Sequence, residues 1–175
     1  MKDIGFPVRR TLRPALAIFV IATATIAGAW IFQAFGYAPC ELCLKERWPY
    51  YAGIVVSALT IGLSRRGPRS LLPAAFAVLF LIFAASAVFG TYHAGVEWGF
   101  WPGPENCTGS FQKAATMQDF LKQLHTVKVV RCDAVAIRIL GLSLAGWNAV
   151  ISGVLAGLAI VGLRATGEGL SESGF

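Results

Sequence analysis

The sequence predicts an all-α polytopic membrane protein, a four-transmembrane-helix bundle with a short amphipathic helix in its second outer loop. Three observations predict it. Hydrophobic residues make up 56% of the 175-residue chain and mean hydropathy is +0.64; a chain this short has too little interior to hide so much apolar surface from water. Charged residues account for only 14%, against about 25% in ordinary soluble domains, which excludes a disordered or nucleic-acid-coating protein. The apolar residues also fall into four runs, each near the roughly 20 residues that a helix needs to cross a bilayer core.

The runs cover approximately 14–32, 48–63, 71–90 and 143–163, within a single membrane domain spanning 1–175. The first follows Lys2, Arg9, Arg10 and Arg13 and contains small residues (Ala22, Ala24, Ala27, Ala29), a pattern shared with cleaved signal peptides. Its length, its aromatic end at Trp30 and Phe32, and the odd number of spans that cleavage would leave favour a true span. The second run is the shortest and borrows its start from the preceding loop. An even number of spans puts both termini on one side. That side and the Arg65–Arg69 link hold eight basic residues against three acidic ones (Asp3, Glu168, Glu172), whereas the opposite side holds seven and six. Because the positive-inside rule weighs short loops and helix flanks, the termini are expected to be cytoplasmic. The net charge of +6 therefore brackets membrane segments and does not mark a nucleic-acid surface.

The outer side then comprises a loop near 33–47 and a long loop near 91–142. In the long loop Phe111, Ala114, Ala115, Met117, Phe120, Leu121 and Leu124 recur at helical spacing behind Ser110, a good N-cap. This predicts an amphipathic helix ending near His125, lying on the membrane surface beside Trp98, Phe100 and Trp101 or packed on its own loop. The tail 167–175 is rich in Gly and Ser and is expected to be flexible.

All four cysteines fall in the outer loops: Cys40 and Cys43 in the first, Cys107 and Cys132 in the second. Three chemistries compete for them. Two structural staples would suit Cys107 and Cys132, but a bridge across two intervening residues closes too small a loop to stabilise much. A four-thiolate zinc site is possible in composition, although the second pair lacks a knuckle spacing and would face an oxidising compartment. Thiol–disulfide exchange fits the first pair best. Pro39-Cys40-Glu41-Leu42-Cys43 precedes the second span, so the pair sits near a helix N-terminus, where free N–H groups favour a thiolate. Arg47, four residues beyond Cys43, shares its helical face and can set a guanidinium over the sulfur, or snorkel as an interface residue. Glu46 is expected to oppose that effect or to pair with Lys45 or Arg47. Asn106-Cys107-Thr108 fits a glycosylation pattern, but a glycan there would obstruct exchange at Cys107.

With those residues placed, the chain resembles the disulfide bond formation protein B (DsbB) family, the quinone-linked thiol oxidases of the bacterial inner membrane. The resemblance covers nearly the whole chain: four spans, Pro39-Cys40-x-x-Cys43-x-x-x-Arg47, Thr91-Tyr92-His93 after the third span, Cys107 and Cys132, then Leu140-Gly141-Leu142 leading into Trp147. It implies that Cys107, paired with Cys132, accepts the thiolate of a periplasmic thioredoxin-like (DsbA-like) oxidase as a mixed disulfide. Two electrons then pass to Cys40–Cys43 and on to a membrane quinone, ubiquinone ahead of menaquinone. Cys43 is implied to contact the quinone as a thiolate with Cys40 as its exchange partner, Arg47 to stabilise the anionic species, and His93 to lie near the quinone. The vitamin K epoxide reductase type, also a small helical quinone-linked bundle, would require the C-x-x-C after the loop pair, and here it comes first. Oxidising a DsbA-like partner, itself a strong oxidant, leaves a protein disulfide little driving force; a lipid-soluble quinone supplies the pull and explains a membrane location.

Overall fold

The computed structural model describes residues 5–104, 116–118 and 131–171. Within them the chain folds as four long helices: α1 (Gly5–Ala34), α2 (Glu41–Arg66), α3 (Leu72–Glu97) and α4 (Leu144–Ser171). A 3-10 turn at Arg69–Leu71 links α2 to α3, and a hairpin of β1 (Arg138–Ile139) and β2 (Leu142–Ser143) leads into α4. α3 packs most extensively on α4, α2 lies against both α1 and α3, and α1 closes the ring against α4.

Three helices are long and apolar enough to cross a membrane, over Arg9–Ala34, Arg69–Glu97 and Leu144–Gly167. α2 has comparable length but a more polar composition, and the reason lies in its packing. Its buried residues are Leu42, Glu46, Tyr50, Gly53, Ser57, Thr60 and Ser64, a stripe at helical spacing that is mostly small or polar. Ser57 and Thr60 return their hydroxyls to their own helix, donating to the carbonyls of Ile54 (3.0 Å) and Val56 (2.7 Å). The apolar side chains of the bundle point outward as well as inward: Val20, Val55, Leu59, Leu81, Val88 and Val161 are all exposed. In water such a surface would aggregate; in hydrocarbon it is the wetted face.

The inner core is supplied by Ala15, Ile18 and Ala22 of α1, Tyr50 of α2, Phe76, Leu79 and Phe83 of α3, and Leu155, Ala156 and Ala159 of α4. Two phenylalanines seven residues apart on α3 approach glycines of the facing helices closely. The Phe83 ring lies over Gly53, where an added Cβ would stand 2.3 Å from Cζ, and the Phe76 ring lies over Gly162, where it would stand 2.2 Å from Cε1. Both rings are fully buried.

Helix ends differ from the sequence boundaries in an instructive way. α2 begins at Glu41, so Cys43, Glu46 and Arg47 are helical; Cys40 is its N-cap. α3 runs to Glu97, which puts Thr91, Tyr92 and His93 on its last turns and not in the loop expected from residue 91. Helix continues there because His93, Ala94, Gly95 and Val96 are buried against neighbours, a tertiary effect invisible to a hydropathy window. α4 likewise extends to Ser171, into the stretch expected to be a flexible tail. Cys107, Ser110 and the amphipathic stretch 111–125, apart from 116–118, lie outside the described residues.

The hairpin turns at Leu140 and Gly141, both with positive φ (52° and 85°), the backbone that suits a tight two-residue hairpin. Gly141 adopts it freely, whereas for Leu140 it costs roughly 1–2 kcal/mol. The hairpin is pinned back by Trp147, whose Nε1 donates to the Ile139 carbonyl at 2.8 Å, and Ser143 Oγ accepts the Gly146 N–H at 3.1 Å, capping α4.

Gly53→Val is expected to drive its side chain into the immobile Phe83 ring and cost about 1–3 kcal/mol of stability, read as a lowered unfolding midpoint in detergent. Gly62→Val on the same helix, where an added Cβ meets nothing within 4 Å, is expected to leave the midpoint unchanged; equal effects of the two would refute this packing.

Candidate functional site: a dithiol between a buried loop cysteine and an apolar cavity

The site is built on the first turn of α2. Cys40 is extended (φ −73°, ψ 172°) and its sulfur accepts the Cys43 backbone N–H at 3.2 Å, taking the place of the Ser or Asp oxygen usual at an N-cap. This capping turn brings the two sulfurs together: Cys40 and Cys43 are unbonded thiols with Sγ atoms 2.7 Å apart. On its other side Cys40 Sγ lies 3.6 Å from His93 Nε2, and His93 Nδ1 is 2.9 Å from Glu46 Oε1. His93 is 1% exposed and Glu46 8%. Glu46 thus pairs across the bundle with α3, not with Lys45 or Arg47; Lys45 instead pairs with Glu41 at 2.8 Å.

Cys40 is the better thiolate of the two. The hydrogen bond from the Cys43 thiol pulls its pKa down to about 4, joined by the His93 ring and the Cys43 backbone N–H and opposed by burial. Cys43 keeps the shared proton. The resemblance implies a thiolate at Cys43 when it contacts a quinone; without that contact, the N-cap geometry and His93 favour the charge on Cys40.

The other wall of the site is Cys132. It is 2% exposed, disulfide-bonded, and buried in one cluster with Cys40 and Leu42, against which Cys43, Phe89 and Tyr92 also pack. Cys132 and Cys40 line the same small cleft, together with His93, Glu97 and Arg131. Arg131 Nε donates to Asp133 at 2.9 Å on the exposed rim. Below the dithiol lies a larger cavity of about 520 Å³, walled by α1, α2, α4 and the hairpin and predominantly apolar. Its polar lining is sparse and includes Cys43, Glu46, Arg47, Tyr50 and Asn148. Cys43 faces both spaces, whereas Cys40 and His93 line only the cleft on the Cys132 side. His93 is therefore placed at the Cys40 sulfur and not at the cavity wall.

Arg47 lines the cavity, as Cys43 does, and its Nη1 donates to Gln33 Oε1 of α1 at 2.9 Å. Gln33 is a residue that spacing along α2 could not reveal. Asn148 is another. Its Oδ1 accepts the Tyr50 hydroxyl at 2.7 Å, Tyr50 also meets Ser152 at 2.9 Å, and Ser152 meets Ser86 at 2.9 Å. This network fixes the amide, whose Nδ2 is buried against Gly90 of α3 and interacts with the Glu46 carboxyl.

A four-thiolate zinc site is incompatible with a disulfide at Cys132. Cys40, Cys43 and His93 do place three donor atoms within 4.8 Å of one another.

Reduced protein is expected to hold a thiolate whose ultraviolet absorbance persists above about pH 4 and disappears as the pH falls through that value. A single absorbance step near the ordinary thiol value of about 8.5, with none near 4, would contradict the assignment to Cys40.

Comparison with known proteins agrees with this geometry. An uncharacterised protein of Rickettsia prowazekii (strain Madrid E) is 24% identical over 140 residues, covering 78% of each chain. No solved structure matches significantly. Residues 10–162, which include every helix of the bundle and all four cysteines, match the family described as disulfide bond formation protein DsbB. The chain belongs to that family, the membrane oxidoreductases of disulfide bond formation.

Proposed function

We propose that this protein is a thiol:quinone oxidoreductase of the bacterial inner membrane that reoxidises a periplasmic thioredoxin-like, DsbA-like dithiol oxidase. One observation carries the reading: the Cys40–Cys43 pair lies between the disulfide-bonded Cys132 and a cavity of about 520 Å³, within the roughly 300–1,000 Å³ range of small-molecule sites. A pair in that position can exchange with one neighbour and deliver electrons to the other.

In this reading the partner's thiolate attacks Cys107, the electrons pass from Cys107–Cys132 to Cys40–Cys43, and a quinone, ubiquinone ahead of menaquinone, accepts them in the cavity. The cavity fits such a group. Its apolar walls suit a ring and prenyl tail, and Arg47, steadied by Gln33, supplies positive charge near the developing anion. Bound there, a quinone provides the two-electron sink that makes oxidation of a strongly oxidising partner favourable. α2 crosses the membrane as a fourth span, its polar stripe turned to the bundle interior; both termini are cytoplasmic, and the cysteine loops are periplasmic.

The direct test is anaerobic reduction of a soluble ubiquinone analogue by a reduced thioredoxin-like periplasmic oxidase, catalysed by the purified protein. Reduction is expected with the native chain and lost in Cys43→Ala. Failure of the folded native protein with both ubiquinone and menaquinone analogues would return the cysteines to a structural role. Arg47→His is expected to raise KM for quinone roughly tenfold, the loss of about 1.4 kcal/mol from one charge-assisted contact, with little change in KM for the protein partner. Unchanged quinone kinetics would remove Arg47 from the site.

A further inference from the structure

The cavity reading leaves one feature unexplained: a carboxylate and an imidazole buried together at the edge of a membrane bundle. Such a pair is costly to bury and is retained where it does something. Its contacts form a continuous line. Cys40 Sγ is 3.6 Å from His93 Nε2, His93 Nδ1 is 2.9 Å from Glu46 Oε1, and Glu46 lines the large cavity. The sulfur of Cys40 does not reach that cavity, so its proton has no direct way there.

We propose that His93 and Glu46 form a proton relay that carries the Cys40 proton from the sulfur to the cavity, so that Glu46 is a catalytic acid of the electron-accepting half-reaction. The proposal rests on the quinone reading above. With Cys40 as the thiolate, the second proton of the dithiol is held by the His93 ring beside it. Oxidation breaks the Cys43 S–H bond and forms one S–S bond, releasing two electrons, one proton from Cys43 and one from His93; reduction of a quinone to its quinol takes up both electrons and forms two O–H bonds. Cys43 lines the cavity itself and needs no relay for its proton. His93 releases its Nδ1 proton to the Glu46 carboxylate, and Glu46 delivers a proton to the oxygen of the quinone substrate. His93 ends neutral, keeping the proton on Nε2, and is protonated again when Cys40 is next reduced.

The surroundings isolate this line from competing groups. On α2 the neighbours of Glu46 are Cys43, Arg47, which is engaged by Gln33, and Tyr50, whose hydroxyl is committed to Asn148 and Ser152. From α4, Asn148 stands beside the carboxyl, and at the end of α3 Glu97 shares with His93 the cleft that Arg131 and Cys132 close. Glu97 lines only that cleft and not the large cavity, so Glu46 is the carboxylate in position to deliver a proton there.

The test uses the full chain, chemically reduced, freed of reductant and mixed anaerobically with a short-chain ubiquinone analogue, with quinol formation followed in a single turnover in H₂O and D₂O. Glu46→Gln preserves shape and hydrogen bonding but cannot pass a proton; it is expected to slow quinol formation about a hundredfold, the low end of what general acid–base catalysis contributes. The native reaction is expected to show a solvent isotope effect that Glu46→Asp, which keeps the carboxyl, retains. A second readout needs no quinone and no variant to fold: the reduced-minus-oxidised infrared difference spectrum of the native protein is expected to contain imidazolium bands of the reduced form that are lost on oxidation, as His93 gives up its proton. Quinol formation by Glu46→Gln within twofold of native, or a redox difference spectrum without loss of an imidazolium, overturns the relay. A native protein that forms no quinol overturns the quinone reading itself, and the two failures are thus distinguishable.

Discussion

A sulfur atom caps the second helix, and the rest of the site depends on that substitution. Helix N-termini leave backbone N–H groups unpaired, and these are usually met by a hydroxyl or carboxylate oxygen. Here Cys40 Sγ accepts the Cys43 N–H, which draws the helix's first turn around the sulfur and brings the Cys43 thiol into contact with it. The same capping geometry polarises the pair, because the group that receives donors from the backbone, from Cys43 and from His93 is the one that ionises. A low thiol pKa stabilises the reduced form and so makes the disulfide more oxidising. Local helix-end chemistry and redox character are one arrangement.

Around that cap the bundle solves two problems at once. Its outer faces carry exposed aliphatic and aromatic side chains that suit lipid, while its interior must hold polar groups without leaving them unpaired, since each orphan in a low-dielectric interior is costly. α2 meets this with a stripe of small and hydroxyl-bearing residues, of which Ser57 and Thr60 donate to their own backbone, and with a network linking Tyr50, Asn148, Ser152 and Ser86 across three helices.

Position as well as acidity distinguishes the two sulfurs. Cys40 is turned toward His93 and the cleft that holds Cys132, and Cys43 opens onto the cavity as well. The hairpin before α4 contributes to both spaces, roofing the cavity with Ile139 and Leu140 while Ala136 touches cavity and cleft alike. A strained turn at Leu140 is the local cost of holding that roof, secured by the Trp147 indole.

The sequence by itself determined the features written in local pattern. Apolar runs announced the helices, because lipid demands continuous hydrophobicity over a full span; the C-x-x-C-x-x-x-Arg spacing placed a dithiol at a helix start; and the set of motifs led to the family. Tertiary structure decided the partners of single polar residues. Helical spacing sets Glu46 beside Lys45 and Arg47, yet it meets His93, 47 residues away; spacing sets Arg47 on the face of Cys43, and only the packing of α1 adds Gln33 as its partner; no pattern marks Asn148, whose amide accepts from Tyr50, 98 residues away. A lone polar side chain leaves no periodic trace, and its role depends on which helices pack together and in what register. The ends of α3 and α4 escaped for a related reason: hydropathy marks where lipid stops, whereas backbone hydrogen bonding and burial decide where the helix does.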